Sequence, residues 1–137
     1  MIIDSSAILA ILKGEPDARV FIDALRRYPV RRMSAVSWVE SAVVTDGNQN
    51  PILSRRFDDL VRDATVRIET VTPKQAEIAR QAYRDFGKGR HKARLNFGDC
   101  FAYALAKEMD EPLLFKGDDF RHTDVELADF ETWRDHK

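Results

Sequence analysis

The sequence predicts an α/β domain built on a parallel sheet, and three observations predict it. Short apolar runs at Met1-Ile2-Ile3 and Leu113-Leu114-Phe115 read as buried strands, with stretches of helical periodicity between them. Acids follow both runs closely, Asp4 after the first and Asp118-Asp119 after the last, at the sheet edge where α/β proteins gather ligands. The stretch from Leu95 to Glu108 then places Asp99 in the first turn of an alanine-rich helix. Strands alternating with helices along the whole chain imply βα units.

Composition bounds the reading. A chain of 137 residues with 44% hydrophobic and 33% charged content fits one globular domain, 1–137, with one core. A net charge of −1 excludes nucleic-acid binding by bulk charge, so a polyanion must be held by local basic patches or by metal ions. Met1-Ile2-Ile3-Asp4 carries no basic leader, and no apolar run approaches the ~20 residues of a membrane span, so a cytoplasmic protein without membrane contact is expected. Cys100 stands alone, which excludes an internal disulfide and a cysteine zinc cluster.

In chain order, Asp4-Ser5-Ser6 is a polar turn and Ala7 to Leu12 a helix, which Ser5 or Ser6 could cap as well as Asp4. Lys13-Gly14-Glu15-Pro16 breaks it. Ala18, Phe21, Ile22, Leu25 and Tyr28 mark a second helix, closed by Pro29 and surrounded by Arg26, Arg27, Arg31 and Arg32. Such clusters are ordinarily solvated surface, though a phosphate backbone would suit this one. Met33 to Val36 is a weak strand, and Ser37 to Thr45 a helix with Val36, Glu40, Val43 and Val44 on one face. A carboxylate in that stripe needs a cation, a metal or a water-filled pocket, unless the helix edge is open to solvent.

After the turn Asp46 to Pro51, Leu53, Phe57, Leu60, Val61 and Ala64 line another helix, with its charges outward. Val66 to Val71 alternates as a strand does, and Thr72-Pro73 opens a helix with Ile78, Ala79, Ala82, Tyr83 and Phe86 inward. The segment Gly87 to Arg94 is a loop carrying Lys88, Arg90, Lys92, Arg94 and His91, and it runs directly into the Asp99 helix. That helix presents Gly98, Ala102, Leu105, Ala106 and Met109 on one face, and its alanines allow close approach to a neighbour. Capping is the ordinary role of a first-turn aspartate. Val125, Leu127, Phe130 and Trp133 mark a last short edge strand within 121–137.

This topology brings Asp4, Asp99 and Asp118 or Asp119 to one edge, and Glu40 can join them from its helix. Clustered carboxylates repel unless they share protons or bind cations, and an oxygen-only set favours Mg²⁺ or Mn²⁺ over zinc. The chemistry that needs such a cluster is hydrolysis at phosphorus, where divalent ions orient a water and neutralise the leaving oxygen. The basic loop would hold the phosphodiester through Lys88, Arg90, Lys92 and Arg94.

The segments Met1 to Ala10, Glu40 in its apolar helix, Leu95 to Ala106 and Pro112 to Phe120 together resemble the PIN-domain ribonucleases, and most closely the VapC toxins of bacterial toxin–antitoxin systems. The resemblance implies a five-stranded parallel sheet flanked by helices and endonucleolytic cleavage of RNA with Mg²⁺ or Mn²⁺. It assigns Asp4, Glu40, Asp99 and Asp118 as catalytic, metal-binding acids, and Ser6 as a hydrogen-bonder to the metal shell. It also implies a homodimer and a VapB-type antitoxin whose C-terminal segment occupies the acidic pocket. Many members carry Thr or Ser just before the fourth acid, where this chain has Lys116-Gly117. Asp118 is preferred there as nearer the strand end, with Asp119 its rival, because strand alternation would point the two apart.

Other classes fit less well. A receiver-like signalling domain needs an acidic pair after the first strand and a phosphoacceptor Asp in mid-sheet, where Asp4 is single and Ile68 to Val71 offers no Asp. A cysteine hydrolase would need Cys100 paired with His91 or His122, and a cysteine in a small-residue helix is ordinarily buried and structural. A PIN-fold binding module without activity would not require the full set of acids.

Overall fold

The computed structural model describes residues 1–128. The elements follow in the order β1 (Ile2–Ile3), α1 (Ser5–Leu12), α2 (Ala18–Arg27), β2 (Arg31–Ser34), α3 (Ala35–Gly47), α4 (Pro51–Asp63), β3 (Val66–Glu69), α5 (Pro73–Phe86), α6 (Phe97–Met109) and β4 (Leu113–Leu114), ending in a 3₁₀ turn at Asp119–His122. Their types are those the periodicities predict. The strands form one parallel sheet in the order β3-β2-β1-β4, with Ile2 opposite Arg32 on one side and Leu113 on the other.

The sheet therefore has four strands among the described residues, where five are expected. The fifth position is marked by a single parallel bridge from Leu113 to Leu127. There the Leu113 N–H donates to Glu126 O, and the Ala128 N–H donates to Leu113 O. Phe130 and Trp133, also assigned to that last strand, lie outside the described residues.

Both faces of the sheet are covered, which is why β1 and β4 read as unbroken apolar runs. Successive strand side chains point to opposite faces. Ile2 and Leu113 pack with Leu105, Tyr103 and Phe115 on the α5–α6 side, while Ile3 and Leu114 pack with Ile8, Phe21, Met33 and Phe57 on the α1–α4 side. Helix α6 is buried at Gly98, Cys100 and every position from Ala102 to Ala106, so its small residues seat it against the sheet as expected.

Three expectations change. Strand β2 begins earlier than predicted, and Arg31 and Arg32 lie inside it rather than on a solvated patch. The Arg31 guanidinium donates to the carbonyls of Ala64, Leu25 and Tyr28, and Arg32 pairs with Glu69 and Glu111. Helix α3 buries Ser37, Ser41 and Thr45, and leaves Val39, Val43 and Val44 exposed. Small polar residues let α3 approach α1 and α6 closely, so its apolar stripe points outward. Tyr83, expected in the core, is 43% exposed.

Candidate active site

The site forms where β1 and β4 end and the N-termini of α1 and α6 begin. Asp4 follows β1 in extended conformation and caps α1, its Oδ2 accepting the Ser6 N–H at 3.0 Å. Asp4 is therefore the cap, a role for which Ser5 and Ser6 had seemed sufficient. Its Oδ1 is buried without a hydrogen-bond partner. A buried carboxylate oxygen left unpaired costs free energy unless it is protonated or meets a cation. Burial raises the Asp4 pKa above its ordinary value, and the charge of Glu40 adds to the effect.

Glu40 reaches the same place from the middle of α3. Ser5 Oγ donates to its Oε1 at 2.7 Å. Its carboxylate lies against the first turn of α6 at Gly98, where a Cβ would stand 2.3 Å from Glu40 Oε2. The glycine is thus the cradle that admits this side chain. Sequence reasoning missed both Ser5 and Gly98. The two adjacent serines after Asp4 were the available signal, because neighbouring residues in a first helical turn point in different directions.

Asp99 serves two roles at once. Asn96 Oδ1 accepts the Asp99 N–H at 2.9 Å and Asp99 Oδ2 accepts the Asn96 N–H at 3.0 Å, a capping box that starts α6. Burial first, then the charges of Asp4, Glu40 and Asp119, push the Asp99 pKa up to about 7 against the opposing backbone hydrogen bond. The ordinary capping role and membership of an acid cluster are therefore compatible.

The last pair divides. Asp119 opens the 3₁₀ turn half-buried, and its charge adds to the rise of the Asp99 pKa. The Asp118 side chain is 75% exposed and lies 3.0 Å from His122 Nε2, turned away toward its own turn. This segment is a tight turn rather than a strand, so strand alternation does not govern where the two acids point. Ser6 Oγ accepts the Lys116 N–H at 2.9 Å, which ties α1 to the chain leaving β4. The Lys116 side chain in turn pairs with Glu15 and Asp17.

The structure thus brings Asp4, Glu40 and Asp99 together with Asp119 nearby, and leaves Asp118 outside. Among the described residues, no group of three or more acid, histidine or cysteine side chains stands placed to hold a metal ion by itself. Ser5 Oγ, the Ser6 N–H and the Asn96 N–H each hold one oxygen of an acid, and Asp4 Oδ1 is left buried and unpartnered. Mg²⁺ retains several waters and needs only one or two direct carboxylates, so this open, oxygen-only donor set fits it.

Lys88, Arg90, Lys92 and Arg94 are exposed on the loop before α6. The loop's base is fixed by the bridge between Gly87 and Leu95, with the Lys88 N–H donating to Leu95 O and the Leu95 N–H to Phe86 O. His91 packs edge-on against Phe86, and its Nδ1 accepts the Ala93 N–H, a structural role. Cys100 is buried and its thiol pKa is pushed up to about 11, first by burial and then by Asp99, so it is no nucleophile.

The PIN domain family model matches residues 1–126. The ribonuclease VapC28 of Mycobacterium tuberculosis is 52% identical over 129 residues, covering 93% of this chain and 97% of its own. The chain belongs to the VapC family of PIN-domain ribonucleases. Solved structures of the same fold include VapC20 of Mycobacterium tuberculosis, a sarcin-ricin loop cleaving toxin, with a TM-score of 0.70 at 18% identity, covering 90% of this chain and 95% of that one. They also include VapBC2 of Rickettsia felis, solved bound to a promoter DNA fragment, with a TM-score of 0.73 at 11% identity, covering 92% of this chain and 95% of that one. Toxin–antitoxin complexes are therefore among the structural neighbours of this VapC-family chain. Among its described residues no helix is long and apolar enough to cross a membrane.

Proposed function

We propose that this VapC-family protein is a Mg²⁺- or Mn²⁺-dependent endoribonuclease, the toxin of a toxin–antitoxin pair acting in the cytoplasm, with Asp4, Glu40, Asp99 and Asp119 as its metal-site acids. The observation that carries this is the gathering of Asp4, Glu40 and Asp99 at the sheet edge, where Asp4 Oδ1 is buried without a hydrogen-bond partner. When bound, a divalent ion supplies an acidified water and charge neutralisation at the leaving oxygen. Asp4 and Asp99 would contribute the oxygens left over from their capping bonds. Ser5 orients Glu40, and Ser6 holds the turn carrying Asp119. The exposed loop cations Lys88, Arg90, Lys92 and Arg94 would position the RNA backbone beside the acids.

The test is cleavage of RNA by the antitoxin-free protein with Mg²⁺ or Mn²⁺ and with EDTA. Metal-dependent cutting supports the reading, and none by a folded, metal-loaded protein across a broad RNA panel opposes it. Asp119→Asn should lose that activity and Asp118→Asn should keep it; the reverse result would return the fourth position to Asp118.

Gly98→Ala offers an independent check. The added methyl meets the Glu40 carboxylate, while alanine is the better helix former. The expected result is a retained fold and Mn²⁺ binding weakened about tenfold or more, the scale on which loss of ligand orientation acts. Unchanged affinity by calorimetry would remove Glu40 from the site.

Partners follow from two surfaces. The exposed valines of α3, Val39 at 50% and Val43 at 65%, form an aliphatic stripe without cations, suited to a second copy of the chain. The acid pocket suits a cationic segment of a VapB-type antitoxin, which would inhibit by occupying it. Light scattering of the isolated protein should give a dimer, and Val43→Glu a monomer.

A further inference from the structure

The groove between α5 and α6 has no role in the site described above. It encloses about 340 Å³, between Arg80 and Tyr83 on α5 and Phe97 and Phe101 on α6, floored by the buried Ala79 and Cys100. Phe97 is 75% exposed and Tyr83 43% exposed, so the groove holds two aromatic rings in water. The Phe97 ring rests on Phe101 with centroids 5.0 Å apart, which makes it a supported platform. The Arg90 guanidinium lies 5.3 Å from the Tyr83 ring centroid, and Arg80 lines the groove itself. No acidic residue lines it among the described residues. Phe97 also lines a second hollow with Val36, Val39 and Glu40, so a group resting on Phe97 lies beside the Glu40 end of the acid cluster.

Exposed aromatic faces interleaved with arginines are how proteins hold single-stranded nucleic acid, by stacking bases and pairing phosphates. The α3 stripe, which meets Phe97 at Val36 and Val39, is aliphatic and carries no cation. We propose that the α5–α6 groove is a base-binding subsite for single-stranded RNA. A nucleotide flanking the scissile bond stacks on Phe97, and the strand continues toward Tyr83 with Arg80 and Arg90 against its phosphates. This rests on the reading of the chain as a ribonuclease and extends it to how substrate is held.

The test uses the full chain and an RNA it cuts. With 5-iodouridine placed at each position in turn, irradiation of the complex in EDTA should crosslink the base to Phe97 or Tyr83. Phe97→Leu and Tyr83→Leu should each raise KM about tenfold or more with kcat little changed, the scale of one lost stacking contact. Exposed positions tolerate these changes, and circular dichroism confirms the fold. Crosslinks confined to other surfaces, or unchanged KM in both variants while the wild type still cuts, would overturn the subsite and leave the ribonuclease reading standing. A wild type that neither binds nor cuts RNA would overturn both. A KM loss that tracks dissociation of a dimer in light scattering would assign the groove to a second copy and overturn the proposal.

Discussion

Asp99→Asn is expected to abolish RNA cleavage, a fall of ~10³-fold or more on the scale of losing one electrostatic element of a site, while making the metal-free protein more stable. The two effects have one cause. Asp99 sits in the field of Asp4, Glu40 and Asp119 and is largely buried, so its ionised form is costly when no cation is present. Asparagine removes that charge yet keeps an oxygen that can accept the Asn96 N–H, so the start of α6 survives. A raised melting temperature with lost activity separates a metal-site acid from a purely structural cap. A lowered melting temperature together with lost activity would reduce Asp99 to its capping role.

The second large effect is the pH dependence of the metal-free protein. Asp99 has a folded pKa of about 7 against an ordinary value of 3.8, so the folded state holds its proton more tightly than the unfolded chain does. Its contribution to stability is fully present below pH 3.8 and is lost as pH rises through about 7. The span corresponds to about 4 kcal/mol as an upper scale for a mostly buried group. Asp4 shifts in the same direction and reinforces the trend. Denaturant melts in EDTA should therefore show the Asp99→Asn variant gaining most over wild type at pH 8 and least at pH 5. Mn²⁺ at 100 times its dissociation constant should restore about 2.7 kcal/mol to the wild type at high pH, and much less where the acids are protonated. A flat pH profile in EDTA would mean that the acids do not share one field.

Much of this was legible in the sequence because it depends on local pattern. The two apolar runs followed by acids, the turns before α1, α2, α4 and α5 and the first-turn position of Asp99 in α6 are short-range signals, and the structure carries each of them. Helix α3 was misread for a physical reason. Periodicity locates an apolar stripe but does not say whether core or partner covers it, and Ser37, Ser41 and Thr45 are small enough to form the buried face instead. Asp118 is preferred in sequence as nearer the strand end, with alternation expected to part the two acids, but the residues stand at a 3₁₀ turn, where strand alternation does not apply. The roles of Ser5 and Gly98 run through Glu40, which is remote from both in sequence and brought to them by the fold, so beyond the paired serines no local pattern carries them.

The pairing of β1 directly with β4 also sets when the protein can first act. Ile2 and Leu113 are neighbours in the sheet although nearly the whole chain separates them. A ribosome making this protein exposes Asp4 and Glu40 well before the strand that completes the centre of the sheet and the turn bearing Asp119. Long-range parallel pairing forms only after that segment is available. Any fragment of the chain that stops short of Leu113 therefore leaves the centre of the sheet open and the acids proposed for the site unassembled.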